Sequence, residues 1–130
     1  EMYRFQRRDS FRVRTQDRGS PTAQFRHPSM PDMTLALRVL DVSIGGCALL
    51  LPDDVPPLAA GVEIRGVHVE LDADARFDAN LMLHHVTTMQ APSRAARLGC
   101  EFMHVEPKTE RVLQRYIDQT QKRRRLLSLD

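Results

Sequence analysis

The chain has 130 residues, 42% of them hydrophobic, which suffices for one packed domain with one core and excludes an intrinsically disordered chain. Its formal net charge is only +2, so bulk charge does not make it a general binder of polyanions. No apolar run approaches the ~20 residues of a membrane-spanning helix, and no secretory signal pattern is present, so we expect a cytoplasmic protein. Cys47 and Cys100 lie in apolar runs and are expected to be buried thiols, although the sequence leaves a disulfide open.

Seven segments show the period-2 alternation or the short apolar run that is typical of β-strands. They are residues 10–15, 22–27, 33–43, 46–51, 63–71, 77–88 and 96–105. Three of them are irregular: the apolar phase shifts at Leu40, Gly66 kinks its strand, and the alternation slips at His84–His85. A phase shift within a strand indicates a β-bulge. Short strands at roughly ten-residue spacing predict a small antiparallel barrel or sandwich of six or seven strands.

The tail follows a helical pattern instead. Pro107 stands where the first turn of a helix tolerates proline, and apolar residues recur at helical spacing from there on. The apolar face comprises Val112, Leu113, Tyr116, Ile117 and Thr120. Basic residues from Lys122 to Arg125 fall near the C-terminal end, where the helix dipole favours cations. The segment predicts one amphipathic helix over about 107–124, packed on the strands, with a solvated basic end.

The segment "FQRRDSFRVR" near the start is rich in arginine. Arg8 and Arg12 are four residues apart, and Arg7 is adjacent to the first of them. A guanidinium presents a planar fork of donors that matches phosphate oxygens or the O6/N7 edge of guanine. The three arginines are therefore candidates for holding one anionic ligand, if they lie on an arm that precedes the first strand. The alternative is a solvated basic strand edge that resists aggregation.

The heptad "LDVSIGG" stands between two predicted strands. Its polar positions are Asp41, Ser43 and Gly46. Asp and Ser bond to nearby backbone in turns and glycine permits a positive φ, so a tight turn explains the heptad by itself. Asp41 is unusual for a turn because it lies within the apolar part of its strand. In the functional alternative, Asp41 accepts hydrogen bonds from a base while Ser43 and the turn amides meet a phosphate.

The two motifs together resemble the PilZ domain family. The resemblance runs from about Phe5 to about Ile117 and includes the "LGCEF" segment and the "LQRYI" helix. It implies a PilZ-like six- or seven-stranded antiparallel β-barrel capped by one C-terminal amphipathic helix. It also implies a receptor, not an enzyme, that binds the bacterial second messenger cyclic di-GMP.

The family's ligand-binding residues carry over by position. Arg8 and Arg12 match the arginine pair of the first motif. The matches to the second motif are Asp41, Ser43 and Gly46. Arg7 occupies a position associated with binding one ligand or an intercalated pair. Arg97 and Gly99, at the start of the last strand, are further candidates because that strand lies near the ligand in such barrels.

The form "QRRDSFRV" is most similar to the C-terminal domain of YcgR-type flagellar brake proteins. This implies an arginine-rich arm or linker over residues 1–11, a barrel with its helix over 12–130, and a separate N-terminal barrel in the full-length chain. Flagellar motor or switch proteins are the implied partners, and the flagellar basal body, on its cytoplasmic side, is the implied site of action.

Two other binding classes remain open at this stage. A small basic barrel could bind RNA or single-stranded DNA, but such surfaces use exposed aromatic rings, and aromatics make up only 5% here, with no Trp. A PilZ-like interaction module that binds no ligand is the other alternative. We expect no metal site at His84–His85, because adjacent strand residues point to opposite faces. No cofactor, nucleophile or acid–base set is predicted.

Overall fold

Seven strands and one helix form the domain. The computed structural model describes residues 13–14, 21–88 and 95–128, with side chains for 21–88 and 95–122. The elements are β1 (Val13–Arg14), β2 (Thr22–His27), β3 (Met30–Val42), β4 (Gly46–Leu51), β5 (Glu63–Asp72), β6 (Ala75–Thr88), β7 (Ala96–Met103) and α1 (Pro107–Ser128). Every strand overlaps one of the seven predicted segments. The helix begins at the predicted proline and is longer than the expected 107–124.

The strands close into an antiparallel barrel. Neighbours pair in the order β3, β2, β5, β6, β7, β4, and β4 pairs back with β3 to complete the ring. β1 adds a two-residue pairing to β3, opposite Val42 and Asp41. The barrel prediction is therefore confirmed, with six strands in the closed ring, and the sandwich alternative is wrong. Closure leaves no long open edge for another chain to pair with.

The three predicted irregularities are all register shifts in the structure. One falls between Val39 and Asp41 in the β3–β4 pairing, and another between Leu83 and His85 in the β6–β7 pairing. The third spans Ile64 to Val67 and contains Gly66, whose φ of 68° suits glycine. The bulge predicted at Leu40 is thus confirmed, and the predicted kink at Gly66 and slip at His84–His85 coincide with the other two register shifts.

The core fills the barrel interior and continues under the helix. Inward positions alternate along the strands, as at Phe25 and Leu37, while β4 is buried over most of its length. Leu113, Tyr116 and Ile117 of α1 belong to the same buried cluster. The helix contacts β6 and β1, so it closes the barrel against solvent on that side. Among the described residues, no helix is long and apolar enough to cross a membrane.

His27 is buried at the end of β2, with an exposed fraction of 2%. The backbone N–H of Ser29 donates to its Nδ1 at 3.1 Å, so Nε2 carries the proton that is donated to the carbonyl of Pro56, also at 3.1 Å. Both ring nitrogens are satisfied. His27 therefore joins the β2–β3 turn to the loop after β4 and has a structural role.

Candidate ligand-binding site

The turn between β3 and β4 is closed by its own serine. The backbone N–H of Ser43 donates to the carbonyl of Gly46 at 2.8 Å, and the N–H of Gly46 donates back to Ser43 Oγ at 3.2 Å. The Ser43 hydroxyl also lies 3.4 Å from the Gly46 carbonyl, and the residue is only 1% exposed. The hydroxyl is thus engaged in shaping the turn that follows Asp41.

Gly46 is required by close packing of backbones. A Cβ at this position would lie 2.1 Å from the carbonyl oxygen of Cys100 on β7, far inside van der Waals contact. Gly46 is not one of the positive-φ glycines among the described residues, which are Gly61 and Gly66. The absence of a side chain at Gly46 allows the turn to press directly against β7.

Asp41 faces the outside of the barrel and is nevertheless nearly buried. Regular pairing between β3 and β4 resumes after the bulge, at Asp41–Ala48 and Val42–Cys47. The guanidinium Nη2 of Arg97 on β7 donates a hydrogen bond to its Oδ2. The carboxylate side chain is 11% exposed and the arginine 42% exposed, so a cation partner stabilises a charge that water reaches poorly.

Four strands contribute to one row of outward-facing positions that includes Asp41. His85 on β6 is the register partner of Gly99 on β7, Gly99 is the partner of Ala48 on β4, and Ala48 is the partner of Asp41 on β3. Directly opposed residues share a face of the sheet. The row therefore runs from His85 at one end to Asp41 at the other, with the small residues Gly99 and Ala48 at its centre. On the far side of Asp41, Arg14 of β1 is its register partner.

A concavity of about 370 Å³ opens on this face. Its lining residues are Ser43, Gly45, His84, His85, Gly99, Cys100 and Glu101. Two predicted site residues, Ser43 and Gly99, thus lie in one hollow, and the Asp41–Arg97 pair lies in the neighbouring part of the same sheet. The predicted ligand residues Arg7, Arg8 and Arg12, like the proposed arm over 1–11, fall outside the described residues.

Sequence reasoning missed the wall that His84, His85 and Glu101 form. The argument that adjacent histidines point to opposite faces is wrong here, because the register shift between Leu83 and His85 interrupts the alternation and both side chains are exposed. The slip in the hydrophobic pattern was the signal that could have located them. Within the described ranges, no group of three or more His, Cys, Asp or Glu side chains could hold a metal ion.

A closed six-stranded barrel with a D-x-S-x-x-G turn between two of its strands and a C-terminal helix defines one class of small domain. The PilZ domain profile matches residues 6–119, and the chain belongs to the PilZ domain family.

Two relatives illustrate the similarity in sequence. The chain is 64% identical over 129 residues to the flagellar brake protein YcgR of Methylibium petroleiphilum, covering 99% of this chain and 56% of that protein. It is 47% identical to the flagellar brake protein YcgR of Leptothrix cholodnii, covering 99% of this chain and 51% of the relative. The chain thus spans about half the length of these curated relatives.

Solved structures agree with the fold. The PilZ domain of Escherichia coli YcgR with c-di-GMP superposes with a TM-score of 0.75 at 25% identity, covering 94% of this chain and 97% of that one. The Klebsiella MrkH–c-di-GMP complex gives a TM-score of 0.75 at 18% identity, covering 89% of this chain and 53% of that one. The second likeness concerns the fold alone.

Proposed function

We propose that this chain is a cyclic di-GMP receptor domain that senses its ligand without catalysing a reaction. The observation that carries the proposal is the outer-face row in which Gly99 and Asp41 flank Ala48, with the Ser43 turn beside it. The solved structure of the PilZ domain of Escherichia coli YcgR with c-di-GMP supports the choice of ligand.

Each site residue has a chemical part in this proposal. Arg8 and Arg12 bind the phosphates and the guanine edges, because a guanidinium recognises both. Arg7 adds a third cation, which suits the higher charge of an intercalated ligand pair. Asp41 accepts from guanine N–H groups, and Arg97 holds its carboxylate in place.

The small residues and the turn shape the surface. Gly46 lets the turn approach β7, Gly99 leaves the floor open, and Ser43 holds the turn amides in position. Hydrogen bonds to charged groups contribute roughly 1.5–3 kcal/mol each. Three or four of them, less the general entropic cost of association, correspond to a Kd of about 1 μM.

The output we propose is regulation of flagellar motility by the full-length protein. The relatives at 64% and 47% identity are named flagellar brake proteins, and they extend beyond the segment that this chain covers. A ligand that binds one conformation of the full-length protein better shifts the protein toward that conformation. The shift would change contacts with motor or switch proteins at the cytoplasmic side of the basal body.

Calorimetric titration of the 130-residue chain with cyclic di-GMP tests the binding proposal. The wild type should bind in the micromolar range, and Arg8→Ala, Arg12→Ala and Asp41→Asn should each weaken binding by about 10- to 100-fold. Arg65→Ala is the matched control, because Arg65 is a 78% exposed arginine paired with Glu63 on β5.

Absence of binding by the wild type would reject the proposal. Oligonucleotide binding with a steep salt dependence would then favour the single-stranded nucleic-acid alternative. The molar ratio from the same titration reports whether one or two ligands bind, and Arg7→Ala should shift a ratio of two toward one.

A swimming assay tests the motility output. A flagellar brake relative whose PilZ segment is replaced by this chain should slow swimming when cellular cyclic di-GMP is high. The same fusion carrying Arg12→Ala should leave swimming fast at equal protein level. Slowing that is equal in both fusions would contradict a ligand-dependent output.

A further inference from the structure

The β6 bulge turns two consecutive histidines to one side of the barrel. Leu83 pairs with Cys100 and His85 with Gly99, so His84 is the extra residue between two regular pairs. Both histidines are exposed and both line the concavity next to Ser43 and Gly99. An unbulged strand would direct one of them away from this face.

His85 stands directly over the gap left by Gly99. A Cβ at Gly99 would lie 3.5 Å from His85 Cβ and 3.7 Å from His85 Cδ2, so the imidazole ring borders the open floor. The His85 imidazole is exposed and makes no hydrogen bond to the residues that the structure describes. One face of its ring is therefore available to a ligand that lies on Gly99.

His84 is held differently. Its Nε2 lies 2.6 Å from Oε1 of Glu101, and the two side chains are 48% and 58% exposed. The two imidazole centroids are 6.2 Å apart and tilted by 42°. The pairing fixes His84 at the rim of the concavity and engages the carboxylate of Glu101. His85 remains as the ring that faces the floor.

The chemistry of the hollow favours a planar base. Every Phe and Tyr in the described part of the chain is buried, as Phe25, Phe77, Phe102 and Tyr116 show. Among the described residues, the exposed aromatic rings that line this site are therefore His84 and His85, of which His85 faces the floor, and histidine rings stack on bases. A volume of about 370 Å³ lies at the lower end of the range for small-molecule sites, which suits one base of a larger ligand.

We infer that this hollow is a purine-binding subsite in which His85 stacks on one guanine of the cyclic dinucleotide. The inference rests on the proposed function, since it assigns one part of the same ligand. Three inter-strand spacings of about 4.8 Å separate His85 from Asp41, so the ligand would span about 14 Å of curved sheet. Asp41 and Arg97 hold one side of it, and His85 holds the other.

Calorimetry with cyclic di-GMP on the 130-residue chain tests the subsite. His85→Ala should raise Kd roughly 10-fold, because base stacking on an aromatic ring is lost. His85→Phe keeps a ring and should stay within about 3-fold of the wild type. His68→Ala is the matched control, because His68 is an exposed histidine paired with Asp78 at 2.8 Å and does not line the hollow.

A second measurement does not depend on a variant. The Cε1 proton of His85 should shift upfield in NMR spectra as cyclic di-GMP is added, because a stacked purine exerts a ring current. Three results would overturn the stacking inference alone, provided that the wild type binds cyclic di-GMP. The first is the absence of this shift, and the second is unchanged affinity in His85→Ala. The third is an equal loss of affinity in His85→Ala and His85→Phe. Failure of the wild type to bind cyclic di-GMP would overturn the proposed function and this subsite with it.

Discussion

Arg97 on β7 reaches across β4 and donates a hydrogen bond to the carboxylate of Asp41 on β3. The two residues are 56 positions apart in the chain, and only the β4–β7 and β3–β4 pairings bring them together. The pair therefore ties the second motif to the last strand. It also places a cation beside a carboxylate that is nearly shielded from water.

Removal of this cation should lower stability. Arg97→Ala removes the hydrogen bond between the Arg97 guanidinium and the 11% exposed Asp41 carboxylate, which costs about 1–3 kcal/mol of unfolding free energy. Chemical denaturation followed by circular dichroism measures the change. Arg65→Ala is the control, since its ion pair with Glu63 is exposed and contributes less than about 1 kcal/mol. Equal losses in the two variants would contradict a special role for Arg97.

The helix is expected to be part of the folding unit. Leu113 is 0% exposed and lies in the same cluster as the barrel core, so Leu113→Ala should cost about 2–5 kcal/mol in unfolding free energy. Gln114 is its exposed neighbour, and its Nε2 donates to Asp118 Oδ1 at 2.9 Å. Gln114→Ala should therefore cost less than about 0.5 kcal/mol. A melting curve in which Leu113→Ala matches Gln114→Ala would mean that α1 packs only loosely.

Sequence patterns predicted the strands and the helix because local periodicity carries that information. Alternation predicted β2, β3 and β5 to β7, and a short apolar run predicted β4. The phase shift at Leu40, the Gly66 kink and the slip at His84–His85 coincide with register shifts. The helix face was correct as well, with Leu113 and Tyr116 both buried.

The geometry of the site was less accessible to sequence reasoning. The Arg97–Asp41 contact depends on barrel closure, which no local pattern encodes. Strict alternation gave the wrong faces for His84 and His85, since a bulge adds one residue to the count. The need for glycine at position 46 arises from a strand more than fifty residues further along. The roles of Arg8 and Arg12 stay predictions.

The two cysteines should be protected thiols. Cys47 and Cys100 are register partners on β4 and β7, both present as thiols, with exposed fractions of 0% and 4%. A chromogenic thiol reagent should react slowly with the native protein and with two thiols per chain once denaturant is added, because burial blocks access. Rapid reaction in native buffer, or no reaction after denaturation without reductant, would contradict this prediction.

Replacement by alanine should have different effects on protein stability at two glycines of the outer face, Gly46 and Gly99. Gly46→Ala forces a Cβ to within 2.1 Å of the Cys100 carbonyl oxygen, so backbone must move, and stability should fall by more than about 2 kcal/mol. At Gly99 the nearest atom to a new Cβ is His85 Cβ at 3.5 Å, an ordinary contact. Gly99→Ala should therefore keep its stability or gain up to about 1 kcal/mol.

Gly99→Ala should weaken ligand binding although it does not lower stability. In Gly99→Ala the methyl group occupies the floor between His85 and Ala48, where the proposed ligand rests. Cyclic di-GMP affinity measured by calorimetry should fall several-fold while the melting temperature is kept. A variant that folds as the wild type and also binds as the wild type would mean that the ligand does not approach Gly99. Loss of both folding and binding would instead show that β6 and β7 are packed more tightly here than a 3.5 Å contact implies.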